Sequence, residues 1–146
     1  MDAHDTPEKM CETHRLWEKI IAGDFDVVLS NIDFDELAKC VPDKRATLAA
    51  YLAQINYTRV DVNADMLRIA DKMLILGILK QKSYEDCQHI AAAIASGCDA
   101  IVSWNFKHIV NYNTMQGVKA ITALEGRNDL LIFTPPALLE GDDNDE

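Results

Sequence analysis

Three short segments carry polar side chains of the kinds that hold a divalent cation, move a proton or bind phosphate. Asp26 to Ser30 (DVVLS) runs into Asn31, Asp33, Asp35 and Glu36. Ser83-Tyr84-Glu85-Asp86 is followed one helical turn later by His89. Ser103-Trp104-Asn105 leads to Lys107 and His108. In open parallel sheets, functional groups gather at the carboxyl ends of strands and at the helix N-termini beside them. Each group also has a plainer reading. Ser83 to Asp86 matches the S-x-x-[DE] capping box, and an acid there suits the positive end of the helix dipole. His89 adjoins Ile90 and reads as a packed or solvated histidine, and Glu36 after Asp35 reads as surface charge. Lys80 and Lys82 serve equally as loop charges or as part of a phosphate-binding rim.

The elements that must position these groups follow from periodicity and punctuation. Thr6-Pro7 opens a first helix with the inward stripe Met10, Thr13, Trp17, Ile20 and Ile21, and Gly23 ends it. Asp26 to Ser30 is a short buried strand, and Asn31 or Asp33 caps the helix that runs to about Cys40. After Pro42, Leu48, Tyr51, Leu52 and Ile55 recur at helical spacing. Tyr57 to Val62 alternates as a strand near a sheet edge does. Asn63 caps a helix with the stripe Met66, Ile69, Ala70, Met73 and Gly77. Ser83 opens the next, Tyr84 to Ser96, which faces Cys87, Ile90, Ala91 and Ile94 inward and stops at Gly97. Ala100 to Trp104 is a continuous apolar run, as in a strand covered on both faces. Lys119 to Ala123 and Leu130 to Thr134 read as weaker strands, and Thr134-Pro135-Pro136 opens a last short helix. Strands alternating with helices imply an α/β domain with a mostly parallel sheet.

At 146 residues the chain is long enough to build one core of ordinary size. Its formal net charge is −10, and Glu140, Asp142, Asp143, Asp145 and Glu146 supply half of that excess as a solvated terminal run. Such a balance excludes a protein that coats nucleic acid through global positive charge, though not one with a local basic rim. No stretch reaches the roughly 18 apolar residues of a membrane span. Met1 to Met10 is polar and acidic, unlike a signal peptide. None of the four cysteines sits in a CxxC pair. Cys87 and Cys98, eleven residues apart, would be roughly 16 Å apart along one helix, beyond the about 7 Å that a disulfide spans. Reduced thiols in a cytoplasmic protein are the expectation.

Asp86-Cys87-Gln88-His89-Ile90-Ala91-Ala92-Ala93, then Gly97 and Asp99, then Ile101-Val102-Ser103-Trp104-Asn105-Phe106-Lys107-His108-Ile109, closely resembles the C-terminal half of PIN domains. It is most similar to the VapC-type toxin branch with its D-x-x-H-I-A-x-A … W-N-F-[KR]-H pattern. Gly23-Asp24-Phe25 to Ser30 and Asp35-Glu36-Leu37 resemble that branch's strand and following helix, and Leu130 to Pro135 its closing strand. The resemblance runs from about Thr6 to Leu139, between a polar stub at 1–5 and an acidic, disordered tail at 140–146. It implies a three-layer α/β fold, with a mostly parallel central sheet flanked by helices, and a Mg²⁺- or Mn²⁺-dependent endoribonuclease. Glu36, Asp86 and Asn105 carry over as metal-holding and catalytic residues, with Lys107, His108 and Lys82 as phosphate or RNA contacts. Asn105 stands where much of the family has an aspartate, as expected in the W-N-F branch. Clustered acids make physical sense there. Two carboxylates about 4 Å apart repel by roughly 4 kcal/mol at an effective dielectric near 20, and a divalent cation with oxygen ligands reverses that sign.

One family feature has no counterpart in this sequence. PIN domains begin with a short buried strand ending in an acidic ligand, whereas here Met1 to Asp5 leads almost directly into the first helix. Truncation, a late start and a strand supplied by a partner are alternative origins, and buried ladder groups left unpaired cost on the order of 1–3 kcal/mol each. The leading expectation is therefore a PIN-type ribonuclease acting as the toxin of a type II toxin–antitoxin pair on RNA. Its rival is a catalytically impaired PIN-like scaffold that binds an antitoxin or forms a homodimer through the strand gap. A Cys87/His108 hydrolase has little behind it, because Cys87 lies on an apolar stripe.

Overall fold

The computed structural model describes residues 15–102 and 111–133. The stub at 1–5, the Thr6-Pro7 cap, the Met10 and Thr13 positions, the segment 103–110, the Thr134-Pro135-Pro136 turn and the acidic tail lie outside them. The chain divides into two compact units, one ending at Asp61 and one beginning at Val62.

The first unit opens with helix α1 (residues 15–21), which buries Leu16 and Trp17. Ile21, expected inside, is 39% exposed, and Leu16 takes its place on the inward stripe. Gly23 closes α1 at φ +88°, with Asp24 N–H donating to Lys19 C=O at 3.1 Å and Gly23 N–H to Ile20 C=O at 3.0 Å. That left-handed turn favours glycine because a Cβ at positive φ would crowd its own following carbonyl, although the space around it is open. Strand β1 (Val27–Ser30) passes straight into α2 (Asn31–Ala38), and α3 (Pro42–Leu52) leads to β2 (Tyr57–Val60). β1 and β2 pair in parallel, from Val27 opposite Tyr57 to Ser30 opposite Val60. Parallel neighbours need a crossover, which α2 and α3 supply. The stripe read on α3 is present but only half-buried: Leu48, Tyr51, Leu52 and, just beyond, Ile55 are the apolar residues partly withdrawn from water. Tyr51 stacks on Trp17 with ring centroids 5.0 Å apart and planes 5° from parallel. β2 is exposed over three of its four residues, as an edge strand is.

The second unit holds the densest core. Helix α4 (Ala64–Ile75) is capped by Asn63, whose side chain accepts from Met66 N–H at 2.9 Å. It buries Met66, Ile69, Ala70 and Met73 of the stripe read from the sequence, whereas Gly77 lies beyond the helix end, exposed and at φ +73°. A 3₁₀ turn (Gln81–Ser83) leads into α5 (Tyr84–Ala95), which packs on α4 and buries Cys87, Ile90, Ala91, Ala92 and Ile94. Burying each large aliphatic side chain contributes about 1.5–3 kcal/mol, so this helix pair dominates the unit's stability. β3 (Ala100–Val102), α6 (Tyr112–Leu124) and β4 (Leu131–Phe133) follow, and β3 pairs in parallel with β4 from Ala100 opposite Leu131 to Val102 opposite Phe133.

Two sequence expectations are corrected here. Lys119 to Ala123 is helical, inside α6. Ile121 and Thr122 are β-branched, but Thr114, Val118, Ile121 and Thr122 are buried on one helical face. Asn111 caps that helix by accepting from Thr114 N–H at 2.8 Å, a local start signal that outweighs β-propensity. The strand at Ala100 is not covered on both faces, because Val102 is 37% exposed. The fold is thus mixed α/β with every described strand pair parallel, and the described ladders are two-stranded.

A close approach in the second unit gives a direct test. A Cβ added at Gly117 on α6 would come within 2.6 Å of Ile78 Cγ2 and 2.7 Å of its Cγ1. Gly117→Ala is expected to destabilise by about 1–3 kcal/mol through overpacking, despite alanine's better helix propensity. Adding Ile78→Ala should recover most of that loss, which a double-mutant cycle in urea would read.

Candidate functional site

The acidic groups of the first unit sit where β1 ends. Ser30, 4% exposed, is the N-cap of α2 in extended conformation (φ −101°, ψ 168°). Asp33 Oδ2 accepts from Ser30 N–H at 2.8 Å and from Ser30 Oγ at 3.4 Å. The capping bond therefore forms at Ser30-Asn31-Ile32-Asp33, a second S-x-x-D that the sequence reading passed over while naming Asn31 or Asp33 as the cap. One turn on, Glu36 is half-buried, and a carboxylate oxygen of each of Asp33 and Glu36 lies within 4.8 Å of the other. Asp35, between them in sequence, is exposed. Spacing of i, i+3 puts Asp33 and Glu36 on one face. At that separation two carboxylates repel by roughly 3 kcal/mol at an effective dielectric near 20, so the face favours a positive partner.

In the second unit Asp86 occupies the first turn of α5 and is half-buried, Glu85 is exposed, and His89 is half-buried one turn on. The capping box expected at Ser83 lacks its serine bond. Ser83 is 6% exposed, has φ −106° and ψ 24°, and makes no side-chain cap hydrogen bond. The 3₁₀ turn that runs into it turns its backbone away from the extended form a capping side chain needs. Lys80 and Lys82 flank or lie in that turn, both exposed. Asn105, Lys107 and His108 lie outside the described residues, just beyond the carboxyl end of β3 in sequence.

Cys87 is wholly buried, and burial first, then the neighbouring Asp86 charge, pushes its thiol up to about 11. A protonated core thiol is no nucleophile at neutral pH, which removes the Cys87/His108 reading. Cys98 is raised as well, chiefly by burial. Cys40, Cys87 and Cys98 are all free thiols.

Several cations of the second unit are already engaged. Arg68 donates to Asp65 at 2.8 Å and to Glu125 at 2.6 Å, Lys72 to Glu125 at 2.9 Å, and Arg127 to Asp65 at 2.6 Å. These hydrogen bonds, Arg68 foremost, hold the Glu125 carboxyl down at about 2, well below its ordinary 4.5. A depressed carboxylate stabilises the fold above its unfolded-state pKa, and that contribution is lost as pH falls through the folded value. Glu125→Gln is accordingly expected to lower the melting temperature at neutral pH. Its deficit against wild type should shrink between pH 4.5 and about 2, as read by melting curves across that range.

Comparisons with family models, curated proteins and solved structures find no match to this chain. Among the described residues no helix is long and apolar enough to cross a membrane.

Of the residues expected to hold a metal, Glu36 lies on α2 of the first unit and Asp86 on α5 of the second. The first unit adds Asp33 beside Glu36. The signal for it was available, as an acid three residues past a strand-ending serine, but a capping acid and a ligand are the same residue type. Glu36 and Asp86 each carry a carboxylate and Asn105 an amide carbonyl, hard oxygen donors of the kind that suits Mg²⁺ or Mn²⁺ rather than a thiophilic ion.

Proposed function

We propose that this chain is a divalent-metal-dependent endoribonuclease with a three-layer PIN-like fold, acting as the toxin of a toxin–antitoxin pair. The observation that carries the reading is the coincidence of pattern and element. The D-x-x-H-I-A-x-A run lies on α5, with Asp86 in the first turn and Ile90 and Ala91 buried. The W-N-F-K-H run follows β3 directly in sequence. Strand β1 feeding α2, with Glu36 one turn beyond the Ser30–Asp33 cap, supports it independently.

Glu36, Asp86 and Asn105 would hold Mg²⁺ or Mn²⁺. When bound, such an ion lowers the pKa of a water, polarises a phosphodiester and offsets the charge that builds up in the displacement. The protein's own groups do the rest. Asp33, fixed by Ser30, adds negative charge beside Glu36 and strengthens that face for a cation. Lys82, Lys107 and His108 orient the phosphate by charge-assisted hydrogen bonds. Because the chain carries a net charge of −10, this basic rim contributes local positioning rather than long-range attraction.

The test is cleavage of single-stranded RNA by purified protein with Mn²⁺ or Mg²⁺ against an EDTA control. The reading predicts cleavage with metal and none with chelator. Equal cleavage in EDTA, or none under either condition, would contradict it.

A further inference from the structure

Helix α5 presents Asp86 from its first turn, and that turn lacks the usual local fastening. Ser83 stands at the N-cap with φ −106° and ψ 24° and gives no side-chain cap hydrogen bond. The first N–H groups of a helix have no partner within it, and helix ends fray. A bond from another helix fastens this one. Tyr84 Oη donates to Asp71 Oδ1 on α4 at 2.7 Å, between residues 13 apart in sequence. The same phenol oxygen accepts from the side chain of Gln88, one turn further along α5. Asp71, Tyr84 and Gln88 therefore tie the start of α5 to α4, and Asp86 lies midway between Tyr84 and Gln88 in sequence.

Resting on the ribonuclease reading, we propose that Tyr84 is a positioning residue of the metal site: through its bond to Asp71 it fixes the direction in which α5 presents Asp86. The inward stripe alone does not fix it. Cys87, Ile90 and Ala91 are wholly buried, which sets the rotation of α5 about its axis. Apolar burial is non-directional, however, and hydrogen bonds are not. A metal ligand tolerates little drift, since a site works only within about 0.5 Å and 10–20° of its productive geometry. Partners that orient ligands contribute about 10–100-fold in metal affinity. Tyr84 acts through the backbone of its own turn, so its effect belongs at the low end. Asp71, exposed on α4, contributes as a hydrogen-bond acceptor and not through its charge.

Calorimetric titration of Mn²⁺ into the full chain tests this. Tyr84→Phe keeps the ring, removes the hydroxyl, and is expected to bind Mn²⁺ about tenfold more weakly than wild type. Asp71→Leu, which removes the acceptor, should match it. Asp71→Asn, which keeps a carbonyl oxygen and loses the charge, should bind as wild type does. Gly117→Ala, which loses stability elsewhere in the same unit, should leave Mn²⁺ affinity unchanged. RNA cleavage by Tyr84→Phe should return to the wild-type rate at saturating Mn²⁺. Circular dichroism checks the folding of each variant, and the Asp71 pair decides alone if Tyr84→Phe misfolds. Wild-type affinity in Tyr84→Phe or Asp71→Leu overturns the positioning role, and so does equal weakening in Asp71→Asn or Gly117→Ala, or a rate deficit that persists at saturating Mn²⁺. The metal site then stands without Tyr84 if Asp86→Asn still abolishes binding. A Tyr84-dependent Mn²⁺ site in a chain that cleaves no RNA keeps the positioning role and removes the nuclease. Wild type that takes up no Mn²⁺ overturns both.

Discussion

Asp86→Ala is expected to reduce metal-dependent RNA cleavage by about a hundredfold or more, the upper end of what losing even an outer-shell partner of a metal costs. The fold should survive the change. Asp86 is half-buried at the first turn of α5, where an acid contributes about 0.3–1 kcal/mol through the helix dipole. In a chain of this size that is a shift of a few degrees in melting temperature. Asp86→Asn separates the two roles, since it keeps shape and one carbonyl but removes the charge. Its activity should fall nearly as far as that of the alanine variant. Glu36→Gln should behave alike, with Asp33→Asn weaker because Asp33 also caps α2 through Ser30. Initial rates at saturating Mn²⁺ and at limiting Mn²⁺ would read these losses. Cleavage that survives both Asp86→Ala and Glu36→Gln would remove these residues from the site.

The largest stability effect should come from Ile90→Ala. Ile90 is wholly buried on α5, which packs on α4, in a unit whose core also holds Ile69, Met73 and Cys87 at 0% exposure. Cutting it to alanine removes transfer energy and leaves a cavity, a loss of about 2–5 kcal/mol. Against a total stability on the order of 5–15 kcal/mol, that is a large share of the margin that holds the fold. Ile75→Ala on α4 is the matched control. Ile75 is 83% exposed, so its replacement should stay within about 0.5 kcal/mol. Urea midpoints of the two variants should separate widely. Equal midpoints would mean that the α4–α5 pair is not the core of its unit.

What could be read from the sequence was what local chemistry determines. Met66, Ile69, Ala70 and Met73 recur at helical spacing behind a capping Asn63, and both the stripe and the cap are present. The α5 stripe of Cys87, Ile90, Ala91 and Ile94 is equally faithful, since two or more turns of one period leave no rival conformation. Short elements were harder. Lys119 to Ala123 is only five residues long, and only the wider spacing from Thr114 to Thr122 reveals its helix. Of the serines followed three residues later by an aspartate, the sequence pointed to Ser83, and the acid's reach back to the cap N–H is also made at Ser30, by Asp33. The difference lies upstream: an extended strand delivers Ser30 in capping conformation, and a 3₁₀ turn delivers Ser83 bent. Glu36 and Asp86 were legible as acids near helix starts, their metal role only through the family resemblance. The Asp33–Glu36 pair and the Tyr84–Asp71 bond escaped, because side-chain convergence is set by packing and not by spacing alone.

The proposed ribonuclease reading needs both Glu36 and Asp86 to bind a divalent cation. Isothermal titration of Mn²⁺ into the full chain, and into Glu36→Gln and Asp86→Asn, tests it without reference to activity. The account predicts one Mn²⁺ per wild-type chain, and loss of that binding in each single variant. Wild-type protein that takes up no Mn²⁺, or variants that each bind as the wild type does, would contradict it.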